Sequence, residues 1–162
     1  MIDEPCKLYF LPGTCALAVN IAFEWTGTDY DPVKMDQNDL KSDWYLKINP
    51  SGVVPSIVNK RGTLSEVSAI LLDIVDEYDE VAGIKRELGR GRLYYWLSFL
   101  SSNLHPHFWL YFNPQRFIKS EEKQIVDGVK ARGVELVYND FKIIDNHLKD
   151  NRFLLGDMWS VA

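Results

Sequence analysis

The sequence predicts a mixed α/β domain followed by an all-helical domain, and three observations lead there. Up to Tyr78, short apolar and aromatic runs bounded by turn residues alternate with segments of helical periodicity. Between Asp79 and Glu87 the periodicity fades, and a glycine and several charges stand in its place. From Leu88 onward every periodic segment repeats at helical spacing. The expected organisation is a first domain over 1–80, a linker over 81–87 and a helical domain over 88–162.

The first strand is expected over Leu8 to Leu11, ended by the Pro12-Gly13 turn. A helix follows from Ala16 to Trp25, with Leu17, Ile21 and Trp25, flanked by Ala18 and Ala22, as its expected buried face. Tyr30 to Met35 reads as a second strand, and Pro32 suits it to a sheet edge. A short helix is expected over Leu40 to Lys47, and Asn49-Pro50-Ser51-Gly52 is turn chemistry. Ser56 to Val58 and Thr63 to Ser65 then flank a turn as an antiparallel hairpin. The next helix starts near Ser65 as N-cap and runs through Ile70, Leu71, Ile74, Val75 and Tyr78. In the second domain one apolar stripe joins Leu93, Trp96, Leu97, Leu100 and Leu104. Another joins Ile125, Val129, Leu136, Val137, Phe141, Ile144 and Leu148, where Gly128 and Gly133 weaken the helix unless they permit close packing.

With 162 residues, of which 46% are hydrophobic, the chain can bury a sizeable core. A net charge of -5 and the absence of a dense basic run argue against a nucleic-acid partner. No apolar stretch is long enough to span a bilayer, and acidic residues stand near the N-terminus, so a cytoplasmic protein is expected. Cys6 and Cys15 form neither a C-x-x-C pair nor a disulfide framework, which fits a reducing compartment.

Cys15 stands between the Pro-Gly turn and the first helix. There the partial positive charge of a helix N-terminus lowers a thiol's pKa and makes it reactive, and a buried structural thiol is the competing reading. Pro55 stands at a strand start, where it is either an ordinary trans proline or a cis proline that turns the Val54 backbone outward to pair with an extended peptide. Ser65-Glu66-Val67-Ser68 opens a helix whose first amides suit a carboxylate, while Glu66 suits an ammonium group and a plain N-cap explains the serine equally well. Together these elements provide for a thiol, a peptide backbone and an amino-acid head group.

The runs K-L-Y-F-L-P-G-T-C-A-L, N-P-S-G-V-V-P and L-S-E-V-S-A-I, in this order and spacing, resemble the bacterial beta-class glutathione transferases. The match continues through Trp96-Leu97-Ser98-Phe99-Leu100, Asn103-Leu104-His105 and Leu155 to Ala162, so it covers nearly the whole chain. The resemblance implies a thioredoxin-like first domain, an α-helical second domain, a homodimer, and a transferase that conjugates glutathione to small hydrophobic electrophiles in detoxification, with no metal. It implies Cys15 and His105 at the glutathione sulfur, Val54 and Pro55 at the cysteinyl backbone, and Glu66 with the Val67 amide at the γ-glutamyl group. Lys41 is the candidate for the glycine carboxylate. Phe108, Trp109, Tyr111 and Phe112 are candidates for the electrophile's pocket.

The sequence departs from the family pattern at several points. Phe10 stands where a tyrosine is usual, Val67 where serine or glycine is usual, and Pro106 is expected to bias His105 away from helical geometry. Ser160-Val161-Ala162 resembles the opening of the family's Ser-x-x-Asp capping box, from which a C-terminally truncated chain is expected. Two further readings stand beside the transferase: a glutathione-dependent thiol-disulfide oxidoreductase using Cys15, and a non-catalytic binding or regulatory protein with this fold. A metal site on His105 and His107 lacks a third ligand in the sequence.

Overall fold

The computed structural model describes residues 5–78 and 90–162. The linker expected at 81–87 lies outside the described residues. The chain forms two compact units.

The first unit runs β1 (Cys6–Phe10), α1 (Ala16–Thr26), β2 (Tyr30–Lys34), a 3-10 turn (Asp39–Lys41), α2 (Asp43–Ile48), β3 (Ser56–Asn59), β4 (Gly62–Ser65) and α3 (Val67–Glu77). Its four strands lie in the order β2-β1-β3-β4, with β1 parallel to β2, and β3 antiparallel to both β1 and β4. This is the thioredoxin-like arrangement that the resemblance implies. Pro32 sits on the edge strand opposite Leu8, where a missing N–H on the outer side costs no ladder bond.

Alternation along β1 sends Leu8 and Tyr9 to opposite faces of the sheet, and both are buried. Tyr9 packs with Met35 and Tyr45, flanked by Val33, Leu40, Ile48, Val54 and Val58. On the Leu8 side, α1 packs against β1 and α3.

The face that α1 buries corrects the sequence expectation. Ala16, Val19, Ala22 and Phe23 are buried, whereas Leu17, Ile21 and Trp25 are 62%, 39% and 54% exposed. The helix carries apolar residues on two faces, and the one that meets the core combines small residues with the large Phe23, so apolar periodicity alone does not choose the face. The short helix also starts later than expected, at Asp43, because the Ser42 hydroxyl accepts from the Tyr45 amide and caps it there. Ser65 is not the cap of α3. Its hydroxyl lies 3.0 Å from that of Ser56 across the hairpin, and the cap position falls one residue later, on Glu66, with Val67 the first helical residue.

The second unit contains α4 (Arg90–Phe99), a π-helical segment (Leu100–Leu104), α5 (His105–Phe112), a 3-10 turn (Pro114–Arg116) and α6 (Lys123–Leu148). The stripe through Leu93, Trp96 and Leu97 is buried as expected. His105 is helical, at φ -63 and ψ -48, against the expectation from Pro106. The proline falls in the first turn of α5, where the wider π winding gives way to α winding and its missing N–H is accommodated. The expected stripe of α6 is realised in part: Val129, Leu136, Val137 and Ile144 are half-buried, Ile125, Phe141 and Leu148 are exposed, and the helix's buried residues are Gly133 and Asp140 on the same face as Leu136, Val137 and Ile144. A Cβ at Gly133 would stand 2.9 Å from Leu110 Cβ and 3.1 Å from the His107 carbonyl oxygen, so this glycine lets α5 and α6 approach closely. No described helix is long and apolar enough to cross a membrane.

Candidate functional site

The turn after β1 fixes the position of Cys15. The Thr14 hydroxyl donates to the Leu11 carbonyl at 2.7 Å and accepts from the Ala16 amide at 3.4 Å, closing the loop onto the start of α1. Cys15 occupies the cap position of that helix, half-buried, and its thiol donates to the Val54 carbonyl at 3.8 Å. The α/β unit therefore brings Cys15 and Val54 together, although 39 positions separate them in the chain.

The Val54–Pro55 peptide is cis, and Pro55 is buried. Just before it, the Val53 carbonyl accepts from the Tyr45 hydroxyl and from Asn49 Nδ2, each at 2.7 Å. Both side chains also reach the fully buried Ser56 hydroxyl, at 3.0 and 3.2 Å. Asn49 Oδ1 in turn accepts from the Ser51 amide at 3.0 Å. Gly52 closes the turn at φ +61, and a Cβ there would lie 2.9 Å from the Leu40 carbonyl oxygen. Tyr45, Asn49, Gly52 and Ser56 thus position the Val54 backbone. The Asn-Pro-Ser-Gly turn is evident in the sequence, whereas this role of Asn49 is not. The available signal was a polar pair, Asn49 and Ser56, on either side of an apolar run.

Glu66 is the one non-glycine residue with positive φ among those described, at φ 69 and ψ 121. That conformation is strained for a side chain with a Cβ and is kept only where the surroundings determine it. It leaves Glu66 exposed at the mouth of α3, with Val67 as the first helical residue. The Glu66 carboxylate interacts electrostatically with the Cys15 thiol.

The reactive-thiol expectation requires a correction here. Burial pushes the Cys15 pKa up, and the Glu66 carboxylate pushes the same way, against a hydrogen bond from the residue's own backbone that lowers it. Desolvation of the thiolate outweighs the favourable field of the helix terminus. Cys15 is a protonated donor in this state, whereas the lowered pKa expected from its position would have made it a thiolate.

His105 belongs to the helical unit. Its ring centroid stands 5.8 Å from that of Trp109, one turn along α5, and the Arg116 guanidinium lies over the Trp109 ring at 3.4 Å. The aromatic residues proposed for a pocket divide between two faces. Phe108 contacts Phe112 and Phe141, each at 6.2 Å, away from the His105–Trp109 pair. His107 Nδ1 is engaged 2.6 Å from Asp140 Oδ2, and no metal-binding group of three side chains occurs among the described residues. Lys41 is exposed in the 3-10 turn. On the α/β unit, the exposed α1 residues Leu17, Ile21 and Trp25 line an open groove with Phe10, Leu11 and Pro12, and Asn20, Glu24 and Tyr30 also border it.

The model of the glutathione S-transferase N-terminal domain matches residues 13–77. A glutathione S-transferase of Xanthomonas campestris is 28% identical over 153 residues, 93% of this chain and 74% of its own length. The structure of a sphingomonad glutathione S-transferase complexed with glutathione is 37% identical, with a TM-score of 0.80 over 96% of this chain and 76% of that one. The bacterial beta class glutathione S-transferase of Sphingomonas chungbukensis is 35% identical, with a TM-score of 0.80 and the same coverage.

Proposed function

This chain belongs to the glutathione S-transferase family, and we propose that it acts as a beta-class member, transferring the glutathione thiolate to small hydrophobic electrophiles. The observation that carries the reading is the convergence on one unit of the Cys15 thiol, the Val54 carbonyl it reaches and the Glu66 carboxylate that acts on that thiol. Glutathione needs these three kinds of group. Its cysteinyl backbone pairs with the Val54 edge as an added strand does. Its γ-glutamyl ammonium meets Glu66, and the γ-glutamyl carboxylate meets the first amides of α3 at Val67. His105 joins the reacting centre by its place in the family motif.

The raised Cys15 pKa assigns this thiol a donor's role. Its S–H is held by the Val54 carbonyl, the same carbonyl that an incoming cysteinyl N–H would take. Released from it, the S–H can donate to the glutathione sulfur and stabilise that group as a thiolate. The glutathione sulfur then attacks the electrophilic carbon, the C–S bond forms as the leaving group departs with its electron pair, and the thiol proton passes to solvent. With Phe10 in place of a tyrosine, Cys15 supplies the donor that a phenol would otherwise supply. The redox alternative is less favoured, since it requires Cys15 itself as a thiolate.

The reading includes residues 1–80 as the glutathione-binding domain, 88–162 as the helical domain, a homodimeric assembly and a cytoplasmic setting. Calorimetric titration of glutathione, together with turnover of a generic aromatic halide, tests it. Binding and turnover are expected in the parent, with Cys15→Ser keeping more turnover than Cys15→Ala because a hydroxyl still donates. Absence of glutathione binding by the folded protein, or turnover lost equally in both variants, would overturn the reading.

A further inference from the structure

The geometry points to Arg116 as a specificity residue that favours electrophiles carrying an anionic group, and this rests on the transferase reading above. Arg116 follows the chain reversal at Asn113, where its amide donates to the Asn113 carbonyl at 3.0 Å. That turn folds its side chain back over Trp109, placing the guanidinium carbon 3.4 Å from the ring centroid. A guanidinium lying over an indole is held by cation–π attraction and stacking, and its N–H edge remains available.

That edge has no acidic partner among the described residues. Among the described residues Arg116 forms no ion pair, while Arg61 pairs with Asp73 and Glu77, and Arg132 pairs with Glu135. An oriented, unneutralised cation is notable in a chain of net charge -5. Its support is equally specific: Trp109 is half-buried and neighbours both Arg116 and His105, with the His105 ring 5.8 Å away by centroids. His105, Trp109 and Arg116 therefore form a contiguous series of imidazole, indole and guanidinium. An aromatic electrophile resting against Trp109 with its reactive carbon toward His105 would bring a carboxylate or sulfonate at its far end to the guanidinium. Arginine's planar fork matches either group bidentately. The aromatic pair Phe108 and Phe112 contributes no such charge, and this separates the two faces of α5 by chemistry.

The test compares chlorodinitrobenzene with its carboxylated analogue, chlorodinitrobenzoate. In both reactions the C–S bond forms as the C–Cl bond breaks, chloride leaves, and the glutathione proton goes to solvent. The ratio of kcat/KM for the benzoate to that for the neutral halide is expected to fall about tenfold in Arg116→Gln, the scale of one charge-assisted hydrogen bond at a partly exposed site. Arg116→Lys is expected to restore part of that ratio, because the charge returns without the planar fork. An unchanged ratio in Arg116→Gln overturns the inference. Should the parent turn over neither halide, the transferase reading fails, and the inference is then decided by binding alone. Stronger quenching of tryptophan fluorescence by the benzoate than by the neutral halide, lost in Arg116→Gln, supports it; equal quenching in parent and variant overturns it.

Discussion

In the α/β unit the buried side chains of Asn49 and Ser56 hold one loop in place, whereas in the helical unit buried Asp140 joins two helices. The first arrangement aims a backbone: Asn49 fixes the Val53 carbonyl, and the next residue presents the edge that a peptide ligand pairs with. The second aims nothing outward. Asp140 meets His107, and two helical turns away along α6, Gly133 brings the helices into close contact. Buried polar groups thus shape the candidate site in one unit and hold helices together in the other, so their removal should separate ligand binding from stability.

The largest effect is expected from Asp140→Ala. Its carboxylate is 5% exposed, and its loss leaves the His107 nitrogen without this partner. Breaking a buried polar pair on one side costs about 3 kcal/mol, reduced where one partner is partly exposed as His107 is. Chemical denaturation should show a loss of about 2–3 kcal/mol, with Asp140→Asn recovering part of it. An equal loss of stability in both variants would show that the charge, and not the hydrogen bond, holds the helices.

Asn49→Ala should cost slightly less, about 2 kcal/mol, because Tyr45 still serves the Val53 carbonyl while the Ser51 amide and the Ser56 hydroxyl lose a partner. Here glutathione affinity should fall as well, since the loop before Val54 is released. A variant that loses stability but binds glutathione like the parent would erase the distinction between the two units.

How far the sequence reveals these arrangements follows the same division. The succession of strands and helices, the edge position of Pro32 and the antiparallel hairpin were legible, because turn residues and alternation are local signals. Cys15 and Val54–Pro55 were legible as candidates, and the structure brings them together. The buried face of α1 was not legible from hydrophobicity alone, since the helix is apolar on two faces: Leu17, Ile21 and Trp25 stay exposed while Ala16, Val19, Ala22 and Phe23 are buried. Likewise apolar periodicity marks only part of the α6 contact: Leu136, Val137 and Ile144 are half-buried on the expected face, but its buried residues are Gly133 and Asp140, which no apolar pattern singles out. The direction of the Cys15 pKa was also beyond the sequence: it depends on how deeply the thiol is buried, and a helix terminus alone does not decide that.

The glycines sharpen the contrast within α6. Alanine at Gly128 meets nothing within 4 Å, so it should stabilise the helix by up to about 1 kcal/mol through propensity. At Gly133 the same gain is opposed by the clash with Leu110 Cβ at 2.9 Å and the α5 backbone at 3.1 Å. Overpacking of this kind costs about 1–3 kcal/mol, so Gly133→Ala should be destabilising by about 1 kcal/mol. Matching signs for the two substitutions in a thermal melt would show that the helices do not meet at Gly133.

The smallest effect concerns the two thiols of the α/β unit, which differ in purpose. Cys6 is pushed up to about 11, first by burial, then by the Asp73 and Glu77 carboxylates, against the opposing Arg61. The thiol is neutral when protonated, and a folded pKa above the ordinary 9.0 means that the folded chain keeps its proton to higher pH than the unfolded chain does. Its stabilising contribution is therefore complete below pH 9.0 and is lost as pH rises toward about 11. Cys15, raised by burial and by Glu66, changes stability in the same direction. Urea midpoints followed across this alkaline range should decline less steeply in Cys6→Ser than in the parent, because one titrating group has gone while the tyrosines and lysines are unchanged. Coincident curves would mean that the Cys6 thiol is hydrated in the folded chain. A shallower curve with unaltered glutathione binding would establish Cys6 as a structural thiol and leave Cys15 as the thiol tied to the site.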